Sequence, residues 1–171
     1  MNVIFLDFDG VLSSNSYSSV LFESGKSTKD ENGHELFAPE TIIRFNRIVD
    51  VTGAKIVISS SWRYLGLTAL KEMWQERGLH GQIIGMTSMH AVDEYITEHG
   101  LDWLNNGTIA ASPRAVEIAA WLNEHNNIDN FVILDDMPMS AALQPHFVQI
   151  NPISGLSDAH ATKAIEILNA H

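Results

Sequence analysis

Val3-Ile4-Phe5-Leu6-Asp7-Phe8-Asp9-Gly10-Val11-Leu12 is the stretch that decides the fold of this chain. Four apolar residues with no turn signal read as a strand buried on both faces, the habit of parallel sheets. The run then changes abruptly to acid, aromatic, acid, glycine. Two carboxylates at the end of a buried strand repel each other and lose hydration. A cation between them offsets that cost, and oxygen-only ligands favour Mg²⁺. Gly10 lets the backbone turn sharply or approach a ligand closely. Asp-x-Asp-Gly also occurs in plain turns and in calcium loops. A calcium loop of the EF-hand type needs ligands at alternate positions and a glutamate at its twelfth. Here Val11 and Leu12 follow, and Ser18 stands where the glutamate belongs, so that reading fails.

Working outward, more apolar strands alternate with helical patterns. Ser13–Gly33 is a polar excursion with a short hairpin or helical turn expected around Tyr17–Phe22. Pro39 suits a first helical turn, and Ile42, Ile43, Phe45 and Val49 supply an apolar stripe that ends at Gly53. Lys55–Ile58 reads as the second strand. A helix marked by Leu67, Leu70 and Trp74 and closed by Gly78 follows, then a short third strand over Gln82–Met86. Between Thr87 and Ala111 two helical pieces, near Val92–Glu98 and Leu101–Leu104, are interrupted by Gly100 and Asn105-Asn106-Gly107. Ser112-Pro113 opens a helix to about Asn126. Phe131–Leu134 and Phe147–Ile150 are the fourth and fifth strands, and a last helix begins at Ser157-Asp158. Such alternation predicts an α/β fold with a parallel sheet covered on both faces. Its site then lies beyond the carboxyl ends of the strands, where the strand order switches.

The polar residues at those ends are therefore the ones that carry chemistry. Asp7 and Asp9 follow strand one, Ser59-Ser60-Ser61-Trp62-Arg63 strand two, and Asp135-Asp136 strand four, while Arg114 opens the preceding helix. Singly, the serines read equally well as a loop or cap, the aspartates as a turn and Arg114 as a solvated first-turn residue. Together they make the set that phosphoryl transfer needs: a carboxylate to attack phosphorus, another to move protons, a cation to neutralise oxygens, and hydroxyl and cationic donors to hold the phosphate.

The order of these pieces resembles the haloacid dehalogenase (HAD) superfamily of phosphotransferases. Asp-Phe-Asp-Gly-Val-Leu resembles its first motif, Val-Ile-Ser-Ser-Ser-Trp its second, Arg114 its third and Ile-Leu-Asp-Asp its fourth. Ser-Ser-Trp-Arg, Arg114 with Glu117-Ile118 and Trp121-Leu122, Asn151-Pro152 and Gly155-Leu156-Ser157 are similar to one branch, the small HAD domain of "Swiss Army Knife" RNA repair proteins. The resemblance implies a three-layer, Rossmann-like (HAD-like) fold with a central, mainly parallel sheet of about five strands and helices on both faces. It makes Asp7 the nucleophile that forms an aspartyl-phosphate and Asp9 the residue that protonates the leaving group and then activates water. Asp7, the Asp9 carbonyl, Asp135 and Asp136 form the Mg²⁺ site. Ser60 and Ser61 bind phosphate with Arg114 and Arg63, Ser59 is an alternative to Ser60, and Lys71 and Lys163 are weaker candidates for the third-motif cation. Dehalogenases of the superfamily lack the second aspartate, so Asp9 favours hydrolysis of a phosphate ester.

At 171 residues the chain is expected to be one domain, residues 1–171, with a small lid inserted at 87–111. Ser13–Phe37, the other insertion point of the superfamily, is too short for a sizeable cap. The net charge of −11 and pI of about 5.0 argue against an extended nucleic-acid-binding face. The eight histidines are scattered and suggest no metal cluster. No apolar stretch is long enough for a bilayer, no signal peptide is expected, and cytoplasm is the default location. Without cysteine there is no disulfide or thiolate site. Trp62, Tyr64, Tyr95 and Trp103 read as core residues or as stacking platforms for a base or ring. The expected partner is a phosphorylated substrate, either a small molecule or a nucleic-acid end. The alternatives are a nucleotide or polynucleotide-end phosphatase linked to nucleic-acid repair, and a non-catalytic HAD-like binding or regulatory module.

Overall fold

A computed structural model describes residues 1–99 and 112–170. Five short strands, β1 (Val3–Leu6), β2 (Lys55–Ile58), β3 (Ile83–Met86), β4 (Phe131–Asp135) and β5 (Phe147–Gln149), form one sheet in the order β3-β2-β1-β4-β5. Every pairing in it is parallel. All four residues of β1 are fully buried, as its unbroken apolar run requires of a central strand.

Successive side chains of the strands point to opposite faces and enter separate cores. Ile4, Leu6, Ile56, Ile58, Val132 and Leu134 pack against α2 (Pro39–Thr52), α3 (Gly66–Glu76) and α6 (Asp158–Leu168). Val3, Phe5, Val57 and Ile133 pack against α5 (Pro113–Glu124) and the 3-10 turn Ala141–His146. The result is the three-layer α/β arrangement expected from the sequence. Helix ends follow local chemistry: Pro39 opens α2, Gly53 closes it in the left-handed conformation, and Ser157 caps α6 through the backbone N–H of His160.

One segment is more regular than the sequence pattern indicates, and another matches it. The polar excursion contains α1 (Asn15–Glu23), nine residues capped by the Ser14 hydroxyl. After it, Lys29 and Glu35 pair in an antiparallel bridge. The first helical piece of the 87–111 insertion is α4 (Ala91–His99), which packs against α5. The second, Leu101–Leu104, lies outside the described residues, as does Trp103. Among the described residues no helix is long and apolar enough to cross a membrane.

The chain runs from β1 outward to β2 and β3, then crosses back to place β4 on the other side of β1. That reversal opens a crevice at the carboxyl ends of β1 and β4.

Candidate active site

Asp7 directly follows β1, its N–H donating to the Leu134 carbonyl (3.0 Å) and prolonging the β1–β4 ladder by one residue. Asp135 ends β4, and its own carbonyl is held by the Ile150 N–H (2.9 Å). The two acids are thereby fixed side by side at the switch point. With Asp136 they each offer a carboxylate oxygen within 4.8 Å of the others. Beyond Asp9, the backbone N–H groups of Val11, Leu12 and Ser13 all point at the Phe8 carbonyl, making a tight reversal. Gly10 allows it with φ of +75°. A Cβ there would lie 2.8 Å from Asp136 Oδ2 and 2.9 Å from Pro152 Cβ, so the bare backbone is also what lets Asp136 approach.

Arg114, at the start of α5, places Nη1 3.4 Å from both Asp7 Oδ1 and Asp135 Oδ2. The contacts are electrostatic and are not aligned as hydrogen bonds. Asp7 Oδ1, Asp135 Oδ2 and Arg114 Nη1 are buried without a hydrogen-bond partner. Burial pushes the Asp7 carboxyl above its ordinary range, opposed chiefly by Arg114, with help from the neighbouring Ser60 hydroxyl and the Phe8 backbone. Asp135 is pushed up to about 7, first by burial and then by the Asp7 charge, with Arg114 and the Met137 N–H (2.9 Å from Oδ1) pulling the other way. One guanidinium therefore leaves the acids under-compensated. An oxygen-only, under-compensated carboxylate cluster fits a hard divalent cation such as Mg²⁺.

Ser59 and Ser60 are both fully buried, and Ser60 is the hydroxyl set beside Asp7. Its oxygen also accepts the Trp62 N–H (3.4 Å) as the cap of a 3-10 turn over Ser61–Leu65. Ser61 is exposed on that turn. Arg63, expected from the sequence to contact phosphate, spends its guanidinium on protein partners and is only 6% exposed. Its Nε donates to the Ser60 carbonyl (2.7 Å), and its Nη1 pairs with Glu117 Oε2 (2.8 Å) and bonds both oxygens of Thr87. Lys163 donates to the Phe147 carbonyl (3.4 Å), while Lys71 lines a groove with Trp74 and Gly81. Arg114 is thus the third-motif candidate that the fold brings to the acids. Asp9 Oδ2 accepts a hydrogen bond from the Trp62 indole (2.9 Å). Trp62 is a core residue, and Tyr64 stands exposed.

Two participants were given no role in the site from the sequence, Thr87 and Glu117. Thr87 is the polar residue immediately after β3, where the rule used for the other strand ends would have found it. Glu117 lies one helical turn beyond Arg114, within 3.7 Å of its Nε, and joins it to Arg63. Its signal was the i, i+3 spacing of opposite charges.

The site geometry agrees with the outcome of family comparison. The family described as "HAD domain in Swiss Army Knife RNA repair proteins" matches residues 3–161. The chain belongs to this family. Membership points to a phosphatase or hydrolase of the HAD type, a class that generally uses Mg²⁺ and acts on phosphorylated substrates. Searches of curated proteins and of solved structures found no match.

Proposed function

We propose that this HAD domain is a Mg²⁺-dependent phosphohydrolase that cleaves a phosphate monoester through an aspartyl-phosphate intermediate. One observation carries the reading: Asp7, Asp135 and Asp136 converge at the switch point beside Arg114, with buried carboxylate oxygens that no hydrogen bond satisfies. A non-catalytic module would have little use for a buried charge cluster of this cost. Asp7, Asp135, Asp136 and the Asp9 carbonyl would hold the cation, which when bound neutralises oxygens of the phosphoryl group.

Asp7 attacks phosphorus, and the bond from phosphorus to the leaving oxygen breaks. Asp9 gives its proton to that oxygen, releasing the alcohol. As a carboxylate, Asp9 then takes a proton from the water that attacks phosphorus, which frees phosphate and restores both acids. The Ser60 hydroxyl, with Ser61 at the rim, holds the phosphate, and Arg114 offsets its developing charge. Arg63 supports the reaction from behind by fixing the carbonyl of Ser60 and the charge of Glu117. The chain acts as one domain, and of the lid expected over 87–111 the described part is α4 beside α5, residues 100–111 lying outside the described residues.

A second reading narrows the substrate to a nucleotide or polynucleotide end. It is favoured by the family match to domains of RNA repair proteins. A net charge of −11 directs such a role toward the phosphorylated terminus and away from long tracts of backbone.

The test is hydrolysis of p-nitrophenyl phosphate with Mg²⁺ and with EDTA, beside Asp7→Asn, followed by a panel that includes 3′-phosphorylated oligonucleotides. Turnover that needs Mg²⁺ and is abolished in Asp7→Asn is expected. Turnover surviving Asp7→Asn sinks the nucleophile assignment, and a wild type inert on the whole panel sinks the enzyme reading.

A further inference from the structure

The Trp62 indole donates its Nε1–H to Asp9 Oδ2 at 2.9 Å. Indole is a donor only, with no lone pair to accept a proton in return. Among the described residues no hydrogen bond engages Asp9 Oδ1. The two oxygens of Asp9 are therefore unequal. Oδ2 is claimed by a fixed donor and is best served as the carbonyl-like oxygen, while Oδ1 is free to carry a hydrogen.

The donor is itself immobilised. Phe8 meets the indole edge-on at 5.4 Å, Phe37 lies 5.6 Å away and the His34 ring 5.1 Å away. The Arg77 guanidinium lies over the indole at 5.4 Å and over Phe37 at 4.2 Å. Arg77 is tied in turn to Asp30 Oδ2 (2.6 Å) and the Glu35 carbonyl (2.8 Å). Residues 30–37, between α1 and α2, thus lock the ring that addresses Asp9. A ring serving only as filler needs packing contacts, not an N–H aimed at a carboxylate.

We propose that Trp62 is the positioning residue of Asp9: its N–H fixes the carboxyl rotamer and directs the transferable proton to Oδ1. The inference rests on Asp9 acting as the acid and base of the proposed reaction. As the bond to phosphorus breaks, its electron pair stays on the leaving oxygen, which takes the hydrogen from Oδ1. Asp9 is left as a carboxylate with Oδ2 still held by the indole. In the second half-reaction Oδ1 recovers a proton from the attacking water, so no net proton is lost by the protein.

The test compares kcat/KM for p-nitrophenyl phosphate, whose leaving group needs little protonation, with that for an alkyl phosphate, whose leaving group needs it most. It uses Trp62→Phe, which removes the N–H and keeps an aromatic ring, and Asp9→Asn. Trp74→Phe serves as a packing control, because Trp74 donates its indole N–H to the His80 carbonyl (3.2 Å) instead. Trp62→Phe is expected to lose about 10- to 100-fold on the alkyl ester and less than about threefold on the nitrophenyl ester, part of the range of general acid catalysis. Asp9→Asn should show the same bias more strongly, and Trp74→Phe none.

Equal losses on both esters in Trp62→Phe, beside a biased Asp9→Asn, overturn this inference and leave the role of Asp9 standing. An unbiased Asp9→Asn overturns both. Should Trp62→Phe fail to fold by circular dichroism, 3-benzothienylalanine at position 62 keeps the shape of indole without the donor. The same bias is required of it.

Discussion

The under-compensated acids at the switch point make the metal-free protein sensitive to alkali. The perturbation is Asp135→Asn, which keeps an acceptor for the Met137 N–H and deletes the charge. In the folded chain Asp135 titrates at about 7, against an ordinary value of 3.8. Between those values the folded protein retains a proton that the unfolded chain has released. The raised value makes the wild type lose stability as pH rises through that window, with the loss complete above about 7. From about pH 5.5 to about 7 a slope of about 1.4 kcal/mol per pH unit amounts to about 2 kcal/mol. In a domain of this size that is a fall in Tm of about 4–8 °C. Asp7, also raised by burial, adds to the fall. His160 acts in the opposite sense: burial and Lys163 hold it low, so its contribution is full above its unfolded value and is lost as pH falls. Because His160 and Asp7 both remain in Asp135→Asn, the difference between wild type and variant isolates Asp135. Thermal melts in EDTA at about pH 5.5 and about pH 8, each repeated with Mg²⁺, make the measurement. The wild type should lose Tm toward high pH and regain it with Mg²⁺, by about 2.7 kcal/mol at a hundred times the dissociation constant. Asp135→Asn should show a much flatter profile and little response to Mg²⁺. An unchanged pH slope in the variant, or a wild type that gains Tm toward about pH 8 in EDTA, would show that the Asp135 proton does not set the alkaline loss.

Gly10→Ala should destabilise by about 1–3 kcal/mol, since alanine must hold φ of +75° and its Cβ meets Asp136 Oδ2 at 2.8 Å. Urea melts measure the loss, and a Mg²⁺ titration followed by Tm should show a weaker midpoint as Asp136 is displaced. Glu117→Gln removes the countercharge of buried Arg63 and a neighbour of Arg114, with an expected loss of about 3–5 kcal/mol in urea unfolding. A variant within 1 kcal/mol of wild type, about the worth of a surface pair, would show that the cluster is solvated.

The sequence disclosed the frame of the site because the frame depends on burial and order. Val3–Leu6 and Phe131–Leu134 are apolar without interruption, as central parallel strands must be, and the first polar residue after each is a carboxylate at the switch point. It disclosed less where direction decides. Nothing in Ser-Ser-Trp-Arg tells that the indole turns to Asp9 while the guanidinium turns inward to Glu117. Helix α1 was legible only as a turn or hairpin for a related reason. Leu21 is its only buried residue, and Val20 and Phe22 are exposed, so no apolar stripe marks it, and the Ser14 cap carries the signal alone.

The place of β1 in the sheet has a consequence for how the molecule breathes. Strands with neighbours on both sides open only with the whole domain, whereas edge strands fray on their own. Asp7 and Asp135 hang from the paired interior strands β1 and β4, so the acids keep their spacing through every excursion short of unfolding. Thr87, the anchor of Arg63, follows β3 at the edge. Local opening there can loosen the Arg63–Glu117 support while the carboxylates stay in register, which separates the part of the site that must never move from the part that can yield.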